Sequence, residues 1–372
     1  MNAPKLRFKE FTDDWKSDKI SNLTTYVDYR GKTPVKTETG IFLITAKNVK
    51  KGYIDYNCSK EYVEASQYNA IMHRGLPKVG DVLVTTEAPC GNVAQIDNAN
   101  VALAQRIIKY RGNDLINNDF LKYELLSDYF QTELKRVASG GTVYGVKGST
   151  LHQMSINYCS KEEQTKIAQF LSLLDKKIEL QKRKIKALKL FKKGLSPMIF
   201  NSINIISEKK LGNICSIKTG KLDANAMTTN GKYRFYTCAK NYYYTDNYAF
   251  DNEALLISGN GAYVGYIHYY KGKFNAYQRT YVLDSFLENI QYVKVYLEEF
   301  LPKRISLEKK EGNTPYIVLS TLYDMKIKLT DSKTEDKVIN LFFYVNSKIK
   351  QESEKFNKYN ELKKGLIQSM FI

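Results

Sequence analysis

From Glu162 to Phe200 the apolar residues recur in alternating steps of four and three: Ile167, Leu171, Leu174, Ile178, Ile185, Leu188 and Leu195. That spacing keeps one narrow face of an α-helix apolar, as in the seam of a coiled coil. The same phase returns 171 residues later, at Val338, Phe342, Val345, Ile349, Phe356, Tyr359 and Leu366. The two segments superpose without a gap, Lys192-Lys193-Gly194-Leu195 on Lys363-Lys364-Gly365-Leu366 and Phe200 on Phe371. A polar residue interrupts both seams at matching places, Gln181 against Glu352 and Lys192 against Lys363. Polar seam residues cost stability but fix register and orientation, so the pattern predicts two helices that pack on each other. No proline precedes Pro197 in either segment, and each is expected to run about 35 residues, roughly 50 Å at ~1.5 Å per residue.

The repeat continues upstream in weaker form. Ser149-Thr150-Leu151 with Met154 and Ile156 matches Ser320-Thr321-Leu322 with Met325 and Ile327. Gln105-Arg106 matches Gln278-Arg279, and Lys19-Ile20-Ser21-Asn22-Leu23 resembles Lys210-Leu211-Gly212-Asn213-Ile214. Each half of the chain is therefore a variable globular domain followed by a long regular helix. The globular parts read as strands and loops, with β-type runs at Asp81–Thr85, Glu253–Ile257 and Tyr263–Tyr270 and one amphipathic helix over Phe120–Lys135. Four segments result: globular domains at 1–160 and 201–332, and long helices at 161–200 and 333–372. The fold class expected is α/β (α+β) with an internal pseudo-two-fold repeat.

Charge adds a partner class. The chain of 372 residues holds 57 Lys and Arg against 39 Asp and Glu, a net +18, and such a field attracts polyanions. The first long helix carries +7 and the second only +3, so the two are not electrostatically equivalent. No apolar run is long enough to span a membrane, and the first nine residues lack the apolar stretch of a signal peptide. Five scattered cysteines, never spaced as C-x-x-C, fit free thiols in a reducing compartment better than disulfides or zinc. The three histidines, His73, His152 and His268, have no metal-ligand spacing. The 29 tyrosines offer flat apolar faces with polar tips, suited to a wet interface or to base stacking.

With the helices, the opening Pro4-Lys5-Leu6-Arg7-Phe8 followed by Trp15, and the stretch from Gly140-Gly141-Thr142 through Glu163-Gln164, Lys166-Ile167-Ala168 and Leu174-Asp175, the chain resembles the S subunit of type I restriction–modification systems. Asn157-Tyr158-Cys159-Ser160 stands where that family commonly has a proline-rich turn, and Glu335-Asp336 replaces the Glu-Gln pair in the second copy. The resemblance implies two target-recognition domains, each reading one half of a split, asymmetric DNA sequence, with the helices as an antiparallel coiled-coil spacer. It also implies two methyltransferase (M) subunits and restriction (R) subunits as partners, in the cytoplasm. S-adenosylmethionine, ATP and Mg²⁺ would reside on those partners, with no cofactor, metal or catalytic centre in this chain.

A rival reading is a DNA adenine methyltransferase with its own S-adenosylmethionine site. Gly259-Asn260-Gly261-Ala262-Tyr263-Val264-Gly265 follows a strand-like run, and Asn313-Thr314-Pro315-Tyr316 approximates an adenine-gripping Asn-Pro-Pro-Tyr motif. A nucleotide-binding glycine loop should open a helix, yet alternating Tyr266, His268 and Tyr270 follow it, which is strand chemistry. The expected base- and phosphate-contacting residues are loop donors. In the first domain they are Arg30, Lys47, Asn48, Gln105, Arg106, Thr142, Tyr144 and Lys147. In the second they are Lys218, Lys240, Asn241, Gln278, Arg279, Asn313 and Tyr316. The recurring Gln-Arg pairs carry two readings, contact with nucleic acid or an arginine that holds a loop carboxylate.

Overall fold

In the computed structural model, residues 3–29, 34–140, 144–308 and 316–372 are described. The chain divides into two compact units, one formed by the residues up to Lys182 with Glu354–Ile372, the other by Arg183–Ser353. Each unit holds one strand-rich head and a stretch of each long helix.

The first head contains β1 (Lys16–Lys19), β2 (Thr24–Asp28), β3 (Ile41–Ile44), β4 (Tyr62–Val63), β5 (Val82–Thr85), β6 (Val93–Gln95), β7 (Val101–Leu103), β8 (Ile107–Gly112) and β9 (Ser155–Tyr158). They form sheets of order β2-β8-β5-β6 and β4-β3-β7, with a separate β1-β9 pair. Every residue of β5 is buried, because the strand has a core on each side. Val82 and Val84 point into a cluster with Trp15, Phe120 and Phe130, whereas Leu83 points into one with Leu43, Val49 and Val101. Side chains alternate across a strand, so a continuous apolar run is what a two-sided sheet requires.

The second head contains β10 (Ser207–Lys210), β11 (Ser216–Thr219), β12 (Tyr233–Tyr236), β13 (Tyr243–Thr245), β14 (Phe250–Ser258), β15 (Ile267–Ala276), β16 (Thr280–Asp284) and β17 (Lys326–Leu329). One six-stranded sheet runs β11-β16-β14-β15-β12-β13, with a β10-β17 pair beside it. β14 alternates as β5 does, Leu255 and Ile257 entering one core and Ala254 and Leu256 the other. The heads share their pairing: β5 with β6 and β14 with β15 are antiparallel, while β3 with β7 and β12 with β15 are parallel. The single long β15 thus does the work of β6 and β7, whose separation splits the first head's sheet in two.

The segment expected as one helix over Phe120–Lys135 is two helices, Asn118–Leu126 and Asp128–Val137. Ser127 separates them in extended backbone, and its hydroxyl accepts the Phe130 N–H at 3.1 Å. A serine that caps the next helix outcompetes continuation of the previous one.

The long helices are Lys161–Ser202, of 42 residues, and Ser332–Met370, of 39. The first passes through Pro197, which forfeits one backbone hydrogen bond. Phe200 beyond it is 1% exposed and lies 5.2 Å from Tyr296 and 5.1 Å from Phe300, ring centre to ring centre. Burying such a ring contributes about 1.5–3 kcal/mol, which offsets much of the ~3 kcal/mol that an interior proline costs. Its repeat partner Phe371 is buried likewise, 6.0 Å from Trp15 and 5.3 Å from Phe120.

Pairing between the helices runs in opposite directions within each unit. In the first, Asp175 binds Lys363 at 2.5 Å and Lys177 lies 4.9 Å from the Tyr359 ring. In the second, Lys184 binds Glu352 at 3.0 Å and Lys192 lies 5.9 Å from the Phe342 ring. One number climbs as the other falls, the mark of an antiparallel pair. The polar seam residues have specific partners: Glu352, 1% exposed, is shared by Lys184 and Lys348, and Lys192 reaches Glu299 at 2.8 Å.

Candidate nucleic-acid interface

Three loops of the first head converge on the Gln105–Arg106 turn between β7 and β8. The Arg106 carbonyl accepts the Thr86 N–H at 3.0 Å, from the loop after β5, and the Thr86 carbonyl accepts the Val146 N–H at 2.9 Å. Ser139 and Gly145 close the third loop by exchanging backbone bonds of 2.9 and 3.1 Å. The second head repeats the chain of bonds. The Arg279 carbonyl accepts the Gly259 N–H at 2.9 Å, and the Gly259 carbonyl accepts the Ile317 N–H at 2.7 Å. A Cβ on Gly259 would lie 2.3 Å from the Arg279 oxygen, so glycine is required there by close approach. Gly261–Tyr263 is a single 3-10 turn leading into β15, and this glycine segment opens no helix.

In both heads the arginine backbone fastens the three loops while its side chain stays outside. The Arg106 side chain is 53% exposed and bound to Glu87 at 2.8 Å; Arg279 is exposed and pairs with no carboxylate among the described residues. Gln278 donates to Asp223 at 2.7 Å, and Gln105 is half-buried. The carboxylate-holding reading of the Gln-Arg pair thus describes the first head and not the second.

Beside the first turn is a cavity of about 340 Å³ lined by Lys36, Lys47, Glu61, Gln105 and Arg106. Lys36 binds Glu61 at 2.7 Å and holds that carboxyl below its ordinary range. Lys47 is exposed. Asn48 corrects an expectation: it is 0% exposed, its oxygen accepts from Thr45 and its amide donates to the Asp55 and Ser59 carbonyls. It organises a loop and offers no surface to a base. Tyr144 is exposed and donates to the Lys135 carbonyl at 2.7 Å, and Lys147 is exposed just before the helix Gly148–Gln153. Lys218 lies mid-strand, 3.4 Å from the buried Asp284 carboxylate. Lys240, Asn241 and Tyr316 are exposed, whereas Arg30, Thr142 and Asn313 lie outside the described residues.

A set of residues absent from the expected list lines a cavity of about 560 Å³ in the second head, where Lys240 and Asn241 meet Arg234, Tyr242, Tyr244 and His268. The Arg234 guanidinium lies 4.3 Å from the Tyr242 ring centre and 4.5 Å from that of Tyr270. A 3.5 Å contact with the Tyr236 hydroxyl and the surrounding tyrosines raise its pKa. His268 holds the Ala239 carbonyl at 2.9 Å through Nε2, which must carry the proton because a carbonyl only accepts. Burial pushes its pKa below the ordinary value. The alternation Tyr266, His268, Tyr270 and the run Tyr242-Tyr243-Tyr244 were the sequence signals for this cluster.

Among the described residues no group of His, Cys, Asp or Glu is placed to hold a metal ion, and no helix is long and apolar enough to cross a membrane. Two strand-rich heads that repeat one loop constellation, each continued by an antiparallel helix pair, define a duplicated recognition protein.

Comparison with known proteins fixes the family. The family model for the type I restriction modification DNA specificity domain matches twice, over residues 13–190 and 206–364, and the chain belongs to that family. It is 38% identical over 120 residues to the type I restriction enzyme EcoDI specificity subunit of Escherichia coli, covering 32% of this chain and 26% of that protein. It is 26% identical over 356 residues to the MjaIX specificity subunit of Methanocaldococcus jannaschii, covering 83% and 81%. The fold is that of a type I S subunit from M. genitalium, with a TM-score of 0.69 at 18% identity over 100% of this chain and 99% of that one. A chain from a structure of type I R-M complex assembly and conformational transition matches with a TM-score of 0.60 at 14% identity, over 96% and 97%.

Proposed function

We propose that this chain reads a bipartite, asymmetric DNA sequence, one half with each head, for a type I restriction–modification enzyme. One observation carries the reading: the same backbone constellation of three loops is built twice, but with different outward side chains. Equal frames with unequal tips suit two half-sites of unequal sequence, read by side chains at base edges. The charge of +18 supplies the phosphate attraction common to both. In this reading the chain is non-catalytic and works in the cytoplasm with two M subunits and with R subunits. Those subunits bring S-adenosylmethionine, ATP and Mg²⁺, and the helix pair sets the gap between the half-sites.

The test is Arg106→Ala against Arg279→Ala, each assembled with the methyltransferase subunit, with the methylated motif as readout. Arg106→Ala should relax or lose only one half of the motif and Arg279→Ala only the other. Identical effects on both halves from either substitution, in protein that melts normally, would refute head-by-head reading.

A further inference from the structure

The two heads differ in how they treat their pocket cations. In the first, Lys36 and Arg106 are each bound to a carboxylate, Glu61 and Glu87. In the second, neither Arg234 nor Lys240 pairs with a carboxylate among the described residues. Their neighbours are rings: Tyr242 and Tyr270 for Arg234, and Tyr263, 5.2 Å away, for Lys240. Glu253, on the adjacent β14 and in register with Lys271, is taken by the Tyr269 hydroxyl at 2.5 Å and by Lys271 at 3.7 Å. Among the described residues the pocket is therefore positive and open and holds no internal counterion.

Arg234 is also held in place. It stands on β12 opposite Tyr244 of β13, and β12 pairs in parallel with β15, which supplies His268 and Tyr270. Rings on two sides restrict the guanidinium, and the loss of rotamer freedom that binding would otherwise cost is already met in the free protein. A flexible lysine suffices for a phosphate, a point charge. A planar fork held between rings is matched to two acceptors in one plane, which in the major groove is the O6 and N7 edge of guanine.

The pocket adjoins the interface described above. The Cys238 thiol, two residues before Lys240, donates to the Arg279 carbonyl at 3.3 Å, and Tyr277 donates from its backbone to the Tyr236 carbonyl at 2.9 Å. The Gln278–Arg279 turn and the Arg234 pocket thus share one edge of the second head.

We propose that Arg234, held between Tyr242 and Tyr270, is a specificity-determining residue of the second head that reads a guanine in its half-site. This rests on the bipartite DNA reading and adds to it a residue and a base.

The experiment is selection of sites from a randomised duplex library by the full chain assembled with its methyltransferase subunit, comparing wild type, Arg234→Lys, Arg234→Gln and Arg234→Ala. Wild type should select two half-sites, the second containing a guanine. Each variant should lose preference for that guanine by roughly 10- to 100-fold, leaving the other half and the gap intact, and lysine should not restore it. Lys and Gln keep most of the side chain's packing and decide the matter if the alanine variant does not fold, as judged by melting. Three results overturn the proposal: a second half-site without guanine, a uniform loss of affinity with an unchanged motif, or full rescue by lysine. The second of these marks a phosphate contact, and the third a point-charge contact that does not need the planar fork. Failure of wild type to select any bipartite site is a different outcome, because it removes the underlying DNA reading as well.

Discussion

Glu124, on the helix Asn118–Leu126, is 0% exposed in the core of the first head. One carboxylate oxygen accepts the Asn157 N–H at 2.9 Å, and the other meets no donor. Burial raises its pKa from 4.5 to about 8, the single N–H bond opposing only weakly. Between those values the folded chain keeps a proton that the unfolded chain releases. The stability contributed by the neutral carboxyl is full below pH 4.5 and is lost as the pH rises through 8, at about 1.4 kcal/mol per pH unit. Glu124→Gln removes the ionisation and keeps the shape. It also brings an amide into a site with one partner, a cost of about 1–3 kcal/mol that does not vary with pH. The variant should be the less stable protein near pH 5 and gain about 2.7 kcal/mol on wild type by pH 7. Urea unfolding followed by fluorescence isolates this head, since Trp15 is the sole tryptophan and lies 3% exposed in its core. With a denaturant slope of ~2 kcal/mol per molar, the midpoint difference should shift by about 1.4 M across those two pH units. A midpoint difference that stays constant from pH 5 to 8.5 would show that Glu124 is not held neutral by burial.

Deleting Lys176–Lys182 removes one heptad and preserves the seam phase. It shortens the first long helix by roughly 10 Å at ~1.5 Å per residue, about three base pairs of ~3.4 Å. The methylated motif should keep both half-sequences and contract its gap, by less if the partner helix buckles; an unchanged gap in folded protein refutes the spacer role. The deletion also removes the contacts of Lys177 with Tyr359 and Lys182 with Tyr53, so its melting temperature should fall. DNA affinity measured by anisotropy should drop steeply with salt, with a log–log slope of about 0.9 per phosphate neutralised, and a flat response counts against nucleic acid as the partner.

The long helices were legible because their signal is periodic and repeated, so each copy checks the other. Their ends, expected at 161–200 and 333–372, fall within two residues of Lys161–Ser202 and Ser332–Met370, although nothing local at Pro197 announces that Phe200 is buried among Tyr296, Phe300 and Phe342, a tertiary effect that overrides propensity. The break at Ser127 was legible in principle, a capping residue inside an otherwise helical pattern. Gln105-Arg106 and Gln278-Arg279 were correctly paired by the repeat, but the reason they recur lies in their backbone, where each arginine carbonyl fastens a neighbouring loop. Asn48 misled because polarity was read as exposure. An asparagine that satisfies Thr45, Asp55 and Ser59 at once is buried by its own hydrogen bonds. Arg234 was missed for the opposite reason: a lone arginine in a strand carries no motif, and its setting comes from a parallel pairing that only the fold creates.

That contrast bears on how a duplicated reader acquires two specificities. The bonds that build the loop frame use main-chain atoms: the carbonyls of Arg106 and Arg279, the amides of Thr86 and Gly259, the amides of Val146 and Ile317. Main-chain bonds survive side-chain replacement where space allows, so the frame persists with Thr86 in the first head and, at the closer approach of the second, Gly259, and with Val146 against Ile317. What differs is the counterion arrangement around the pocket cations, carboxylates in the first head and aromatic rings in the second. An arginine bound to a carboxylate must exchange that partner for a base, and the new contact is offset by the old one. An arginine between rings gives up less to bind: the rings occupy its face, and of its edge donors Arg234 commits only a long, neutral 3.5 Å contact to the Tyr236 hydroxyl. Side-chain discrimination in the second head should therefore be the sharper, and a half-site preference profile that is steeper at the Arg234 position than at any position served by Arg106 follows directly from that difference.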